Sequence, residues 1–128
     1  MLTRRALLRL ISCIPFAGAL AARAQPPGAI LVETRIEGYR HYDGPRIEST
    51  LREGDELELR REPQNPHDAR AIAIHDTRGR KLGYLPRKEN RIPARLMDQG
   101  MELTAAITTI ARDAEPWKRV RVALRMEK

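Results

Sequence analysis

The strongest constraint on the fold is a polar loop that joins two strand-like segments in residues 60–74. Apolar and polar residues alternate before the loop, and they alternate again after it, at Ile72 and Ile74. This period of two predicts β-strands. Pro63 and Pro66 bracket a Gln-Asn pair within the loop, and each proline pushes the preceding residue toward extended dihedrals. The sequence therefore predicts a rigid polar loop that keeps its shape before a ligand arrives.

The same alternation recurs along the chain and predicts about six short strands. They fall in residues 30–36, 56–60, 71–75, 81–85, 103–107 and 120–126. A helix is predicted between Asn90, as its N-cap, and Gly100, as its stop. Short strands separated by glycine- and proline-rich turns are typical of small barrels. We therefore expect a mainly β protein, a small six-stranded barrel with one or two short helices.

The alternation also predicts which side chains face the core. In the first strand, Ile30 and Val32 are expected on the inner face. In the strand after the polar loop, Ala71, Ala73 and His75 are expected to point outward, because successive side chains of a strand lie on opposite faces. The chain shows no internal repeat, and its length suits one small domain.

Residues 1–24 have the features of an export signal. The stretch TRRALLR in residues 3–9 resembles the twin-arginine export motif, and a mostly apolar run follows it. Ala22-Arg23-Ala24 places small residues where a signal peptidase reads them, so we expect cleavage between Ala24 and Gln25. Residues 25–29 then form a linker and residues 30–128 the folded domain. We expect a bacterial protein that is exported to the periplasm.

Two alternatives for the N-terminal segment remain open. Without cleavage, the segment could act as a membrane anchor, although Arg9 and Pro15 interrupt its apolar run. A lipoprotein signal would instead use Cys13, the single cysteine of the chain. Residues 1–24 hold four arginines and no acidic residue, so the net charge of +7 falls to +3 for the remainder, with 20 basic and 17 acidic residues. The exported domain is therefore only mildly basic.

Enzymatic functions find little support in the composition. Residues 25–128 contain one serine, Ser49, and no cysteine, so a nucleophilic triad or a disulfide framework has little to work with. The three histidines, His41, His67 and His75, lack the HxH and HExxH spacings of metal sites. No glycine-rich phosphate loop is present either. The sequence predicts a protein that is not an enzyme and uses no metal or other cofactor.

Residues 39–42 form a short aromatic and basic stretch, Tyr-Arg-His-Tyr. Proteins that bind single-stranded nucleic acid combine basic side chains with aromatic faces on which bases stack. The alternative is structural: Tyr39 would pack in the core, and Tyr42 would cover one end of the barrel. Composition alone favours the structural role.

The polar loop and its flanks resemble the HIRAN domain. The similarity rests on LRREPQNPHDARAI in residues 59–72, GYLPR in residues 83–87, Asn90, and GYRHYDG in residues 38–44. It spans about residues 30–126. The resemblance implies an OB-like six-stranded barrel and a module that binds the 3′ end of single-stranded DNA.

The resemblance also implies a site made by two loops. One loop would contact the DNA backbone and stack on bases, and the other would accept the terminal nucleotide with its 3′-hydroxyl. The residues are Arg40, His41 and Tyr42 in the first loop and Asn65, His67 and Asp68 in the second. In the DNA-binding members a tyrosine can stand at the positions of His41 and His67, and histidine offers less surface for stacking.

Two functional hypotheses follow. The first is a non-catalytic module that binds single-stranded nucleic acid ends. The second starts from export, which would separate the domain from chromosomal DNA and leave a periplasmic interaction or structural module whose partner is an envelope protein or peptide. The two differ in salt dependence, because binding to phosphates weakens steeply as salt rises.

Overall fold

The computed structural model of the protein describes residues 29–127. The predicted signal peptide, its cleavage site and residues 25–28 of the predicted linker lie outside this range, as does residue 128. The strands of the described part are β1 Ile30–Arg35, β2 Glu56–Arg61, β3 Ile72–Asp76, β4 Lys81–Tyr84, β5 Leu103–Ile110 and β6 Val120–Met126. No helix in residues 29–127 is long and apolar enough to cross a membrane.

The helices of residues 29–127 are short. The α-helices are α1 Gly44–Ile47, α2 Arg91–Asp98 and α3 Pro116–Arg119, and 3₁₀ turns occur at Tyr39–His41, Glu48–Thr50 and Arg87–Glu89. Only α2, with 8 residues, exceeds a single turn. The helical segments thus outnumber the one or two expected, since single turns leave almost no periodic signal in a sequence.

The six strands form one antiparallel sheet in the order β1-β6-β5-β2-β3-β4. The sheet curls until its two edges meet. At the meeting point the Glu37 N–H donates to the Tyr84 carbonyl over 2.7 Å, and the Tyr84 N–H donates to the Glu37 carbonyl over 2.9 Å. This confirms the prediction of a mainly β, six-stranded, barrel-like fold. The closure also brings the start of the aromatic stretch beside the end of β4.

Aliphatic side chains fill the interior of the curl. The most deeply buried include Ile36, Ile72, Ile74, Leu82, Ile107, Val122 and Leu124. Tyr39 joins them with only 1% of its surface exposed, and its hydroxyl donates to Glu48 Oε1 over 2.8 Å. Burial raises the pKa of Tyr39, and the hydrogen bond to Glu48 raises it further. Tyr39 therefore takes the structural role and anchors the segment that carries Tyr42.

The structure corrects the prediction that Ile30 faces the core, and it shows that the outer face of β3 is buried. Ile30 is 50% exposed, because the β1–β6 register shifts between Ile30 and Val32 and breaks the alternation. Ala71, Ala73 and His75, predicted to point outward, are all buried. The register places residues of β2 and β4 on either side of Ala73 and His75. Because the flanking side chains are long, the outer face of β3 is covered as well.

Asn90 occupies the N-cap position of α2 as predicted, and α2 ends before Gly100, which has a positive φ of 94°. The Asn90 side chain does not cap the helix. It is fully buried, and its Nδ2 donates to Asp68 Oδ2 over 2.8 Å. The polar residue before α2 thus connects the helix to the polar loop.

Closure of the sheet depends on a glycine in β4. Gly83 has φ 149°, and a Cβ there would lie 2.4 Å from the Glu37 carbonyl oxygen and 2.6 Å from Ile36 Cγ2. Gly54 also has a positive φ, but no atom lies within 4 Å of its Cβ position. Both alanine variants carry backbone strain. We predict that Gly83→Ala is less stable than Gly54→Ala by roughly 1–3 kcal/mol, because it alone adds steric overlap.

Urea denaturation of the two variants and the wild type measures this difference. Equal losses of stability in Gly83→Ala and Gly54→Ala would show that the approach of β4 to Glu37 is not the constraint.

Candidate binding site

A cavity of about 300 Å³ opens where the sheet closes beside the polar loop. Its lining residues are Glu37, Tyr42, Asn65, His67, Asp68, Ala71, Tyr84, Leu85 and Arg87. Four of the six residues predicted for the site are therefore brought together. Arg40 and His41 are exposed on the neighbouring 3₁₀ turn and do not line the cavity.

The polar loop holds its shape through its own hydrogen bonds. Asn65 Oδ1 accepts from the His67 N–H over 2.8 Å, and Asn65 Nδ2 donates to Glu62 Oε1 over 3.0 Å. The Asn65 N–H also donates to the Glu62 carbonyl over 3.0 Å. Both ends of the Asn65 amide are thus used within the loop, as is common for asparagine in turns.

Asp68 has both a structural role and a place in the cavity. Its Oδ1 accepts from the Arg70 N–H over 3.0 Å, and its Oδ2 accepts from Asn90 Nδ2 and lies 3.7 Å from Arg87 Nε. Partial burial acts to raise the pKa of Asp68, but the donors at Arg70 and Asn90 and the charge of Arg87 outweigh it and lower the pKa. The carboxylate is therefore ionised at neutral pH and offers only acceptors to a ligand.

Glu62 connects the polar loop to β4. Its Oε1 accepts from the Tyr84 hydroxyl over 2.7 Å, and its Oε2 accepts from Lys81 Nζ over 3.3 Å. Lys81 Nζ also donates to the Tyr84 hydroxyl over 2.9 Å. Burial acts to raise the Glu62 pKa, but hydrogen bonds from Tyr84, Asn65 and Lys81 outweigh it and lower the pKa. Burial likewise acts to lower the Lys81 pKa, and its two hydrogen bonds reverse the direction and raise it.

The aromatic wall of the cavity consists of Tyr42 and Tyr84. Their rings meet edge to face, with centroids 5.8 Å apart and an interplanar angle of 71°. Lys81 Nζ lies 5.1 Å from the centroid of Tyr42 and 4.6 Å from that of Tyr84, within the range of cation–π attraction. Tyr42 is 39% exposed. It therefore has a supported ring with surface left for stacking.

Arg87 and His67 form the outer rim. The Arg87 guanidinium donates to the His67 carbonyl, and 66% of the Arg87 side chain is exposed. Sequence reasoning missed Tyr84 as part of the wall. The available signal was the GYLPR segment, whose aromatic residue follows the glycine that closes the sheet.

The sequence of residues 31–127 matches the family model described as the HIRAN domain. The chain belongs to the HIRAN family. A protein from Lactobacillus plantarum, known from a crystal structure, has 31% sequence identity to this chain and a TM-score of 0.70. The alignment covers 80% of this chain and 98% of that chain. The crystal structure of the HIRAN domain of human HLTF is 20% identical, with a TM-score of 0.62, over 76% of this chain and 75% of that chain. No match is found among the curated proteins.

In the part of the chain that the structure describes, no three His, Cys, Asp or Glu side chains are grouped in a way that could hold a metal ion. The carboxylates around the cavity are instead hydrogen-bonded to donors of the protein itself. The carboxylates of Glu62 and Asp68 accept several hydrogen bonds each. The arrangement is therefore suited to binding through hydrogen bonds, charge and stacking.

Glu62 gives the site a testable pH dependence. The Glu62 pKa is lower in the folded protein than in the unfolded chain. The ionised carboxylate therefore stabilises the fold at pH values above the ordinary glutamate pKa. This stabilisation is lost as the pH falls through the folded-state pKa. We predict that Glu62→Gln lowers the unfolding free energy at neutral pH by roughly 1–3 kcal/mol. We also predict that this difference from the wild type shrinks at acid pH.

Denaturation curves recorded across the acid range check the prediction. Glu58→Gln is the matched control, because Glu58 lies on the same strand and pairs at the surface with Arg60, with 49% of its side chain exposed. A pH dependence that is the same for both variants would contradict the role of Glu62.

Proposed function

We propose that this HIRAN domain is a non-catalytic module that binds the 3′ end of single-stranded DNA in the cavity between Tyr42 and the polar loop. The observation that carries the proposal is the placement of an ionised carboxylate, Asp68, and a partly exposed aromatic ring, Tyr42, on the walls of one cavity. A terminal nucleotide has matching groups, a base that stacks and a hydroxyl that donates a hydrogen bond.

Each group of the terminal nucleotide has a counterpart among the cavity residues. Its base would stack on Tyr42, and the exposed His67 would contact the same or the next base. The 3′-hydroxyl would donate to Asp68, which retains acceptor capacity beyond its two internal donors. Arg87 at the rim, and Arg40 and His41 on the neighbouring 3₁₀ turn, are exposed and would face the phosphates.

The chemistry of Asp68 favours a free hydroxyl over a blocked end. A carboxylate held ionised cannot donate a hydrogen bond, so it accepts from a hydroxyl but repels a phosphate. Fluorescence anisotropy with single-stranded DNA that carries a free or a phosphorylated 3′ end tests this difference. We predict tighter binding of the free end. Equal affinity for the two ends, or no binding of either, would refute recognition of the end.

Two variants assign the roles within the cavity. We predict that Tyr42→Ala weakens binding of all sequences by roughly 1–3 kcal/mol, the contribution of one stacked base. Asp68→Ala is expected to reduce the preference for the free end more than the affinity itself. Trp117→Ala is the control for loss of an exposed aromatic residue, since Trp117 is 48% exposed and does not line the cavity. Unchanged binding in Tyr42→Ala and Asp68→Ala would count against this site.

We also propose that the protein is exported and that residues 1–24 are removed. The support is the twin-arginine-like segment with Ala22-Arg23-Ala24 after its apolar run. A fusion of residues 1–30 to a reporter that is active only after export in a folded state is predicted to be active. Replacing Arg4 and Arg5 by lysine should abolish that activity, and a signal that persists in this variant would exclude the twin-arginine route.

A further inference from the structure

Next to the cavity, α2, the 3₁₀ turn before it and the end of the polar loop present a group of exposed basic side chains. This basic helix surface consists of Arg70, Lys88, Arg91 and Arg95. Lys88, Arg91 and Arg95 line one shallow depression, of about 380 Å³, together with the exposed Ile92. Arg70, Arg91 and Arg95 line the adjoining one, of about 430 Å³. The two depressions share Arg91 and Arg95, so the four cations form one continuous surface.

In the described part of the chain, the acidic side chains that line the two depressions form no ion pair with these cations. Asp98, which lines the second depression, accepts two hydrogen bonds from Arg61, over 2.9 and 3.1 Å. Glu89 lines the first depression and forms no ion pair with any of the four cations within residues 29–127. Among the ion pairs within residues 29–127, none involves Arg70, Lys88, Arg91 or Arg95. Within the described residues these four side chains are therefore not held in ion pairs, and only Arg70 acts on a carboxylate of the cavity, Asp68, through its charge.

The basic helix surface is continuous with the cavity in two places. Arg87, which lines the cavity, precedes Lys88 in the same 3₁₀ turn. Arg70 lies two residues after Asp68, and its N–H donates to the Asp68 carboxylate. The basic helix surface therefore begins at the edge of the cavity.

We propose that the basic helix surface binds the phosphate backbone of the same strand, on the 5′ side of the terminal nucleotide. Arg91 and Arg95 are four residues apart on α2 and lie on one face of the helix, about 5–6 Å apart at Cβ. Ile92, 66% exposed between them, offers an apolar contact to a sugar or base. This inference rests on the proposed function and extends it, because it makes affinity depend on strand length as well as on the end.

The double variant Arg91→Gln/Arg95→Gln tests the role of the surface. Glutamine has nearly the helix propensity of arginine, so α2 is preserved. Each phosphate contact with a single strand contributes about 0.7 to the salt slope. The variant is therefore expected to bind a twelve-nucleotide strand roughly 10–30-fold more weakly at about 0.1 M salt, with a slope smaller by about 1.4. Binding of a trinucleotide and the preference for a free 3′ end should not change.

The control Arg52→Gln/Arg121→Gln removes the same charge from exposed positions outside the basic helix surface. If both double variants lose affinity equally, the effect is net charge alone and the inference is wrong. It is also wrong if Arg91→Gln/Arg95→Gln leaves binding of the long strand unchanged while the free end is still preferred. It is wrong again if only binding to phosphatidylglycerol vesicles is lost, which would identify a lipid surface.

Failure of the proposed function has a different signature. The wild type could bind the long strand through Arg91 and Arg95 without distinguishing free from phosphorylated 3′ ends. That result would support phosphate binding by the basic helix surface and refute end binding in the cavity. If the wild type binds neither strand, both proposals are overturned.

Discussion

Glu62 accepts hydrogen bonds from three side chains that come from two elements of the fold. Asn65 belongs to the polar loop, and Lys81 and Tyr84 belong to β4. Lys81 in turn lies against the ring of Tyr42, at the end of the aromatic stretch. A single carboxylate thus fixes both walls of the cavity relative to one another. Hydrogen bonds to an ionised acceptor are stronger than neutral ones, so this connection is firm even though the residue is only partly buried.

A second connection holds the far end of the same loop. Asp68 is tied to Asn90 at the start of α2 and to the N–H of Arg70. The loop is therefore attached to β4 near its beginning and to α2 near its end. Such a site loses little conformational freedom when a ligand binds, which favours affinity from few contacts. Pro63 and Pro66 further reduce the conformational freedom of the loop, because they also restrict it in the unfolded chain.

The positions of the strands could be predicted from local alternation, but features that depend on contacts between strands could not. Alternation located all six strands, but it could not anticipate the register shift that exposes Ile30. It also could not show that the outer face of β3 is covered, because burial of Ala73 depends on long side chains of neighbouring strands. Asn90 was placed at the helix start by its residue type, and its partner Asp68 is 22 residues away in sequence. Local patterns carry no information about such a pair.

The part of the site that is local in sequence was predictable, and the part that folding brings together was not. Asn65, His67 and Asp68 lie within four consecutive residues, so a sequence motif identifies them together. Arg70 and Arg95, in contrast, become neighbours only in the folded protein. The resulting arrangement of charge has a direction. The Asp68 carboxylate lies inside the cavity, Arg87 lies at its rim, and further cations follow on the 3₁₀ turn and on α2. Under the proposed function, this separation would orient a strand, because the uncharged hydroxyl end alone fits against Asp68 while the phosphates lie over the cations.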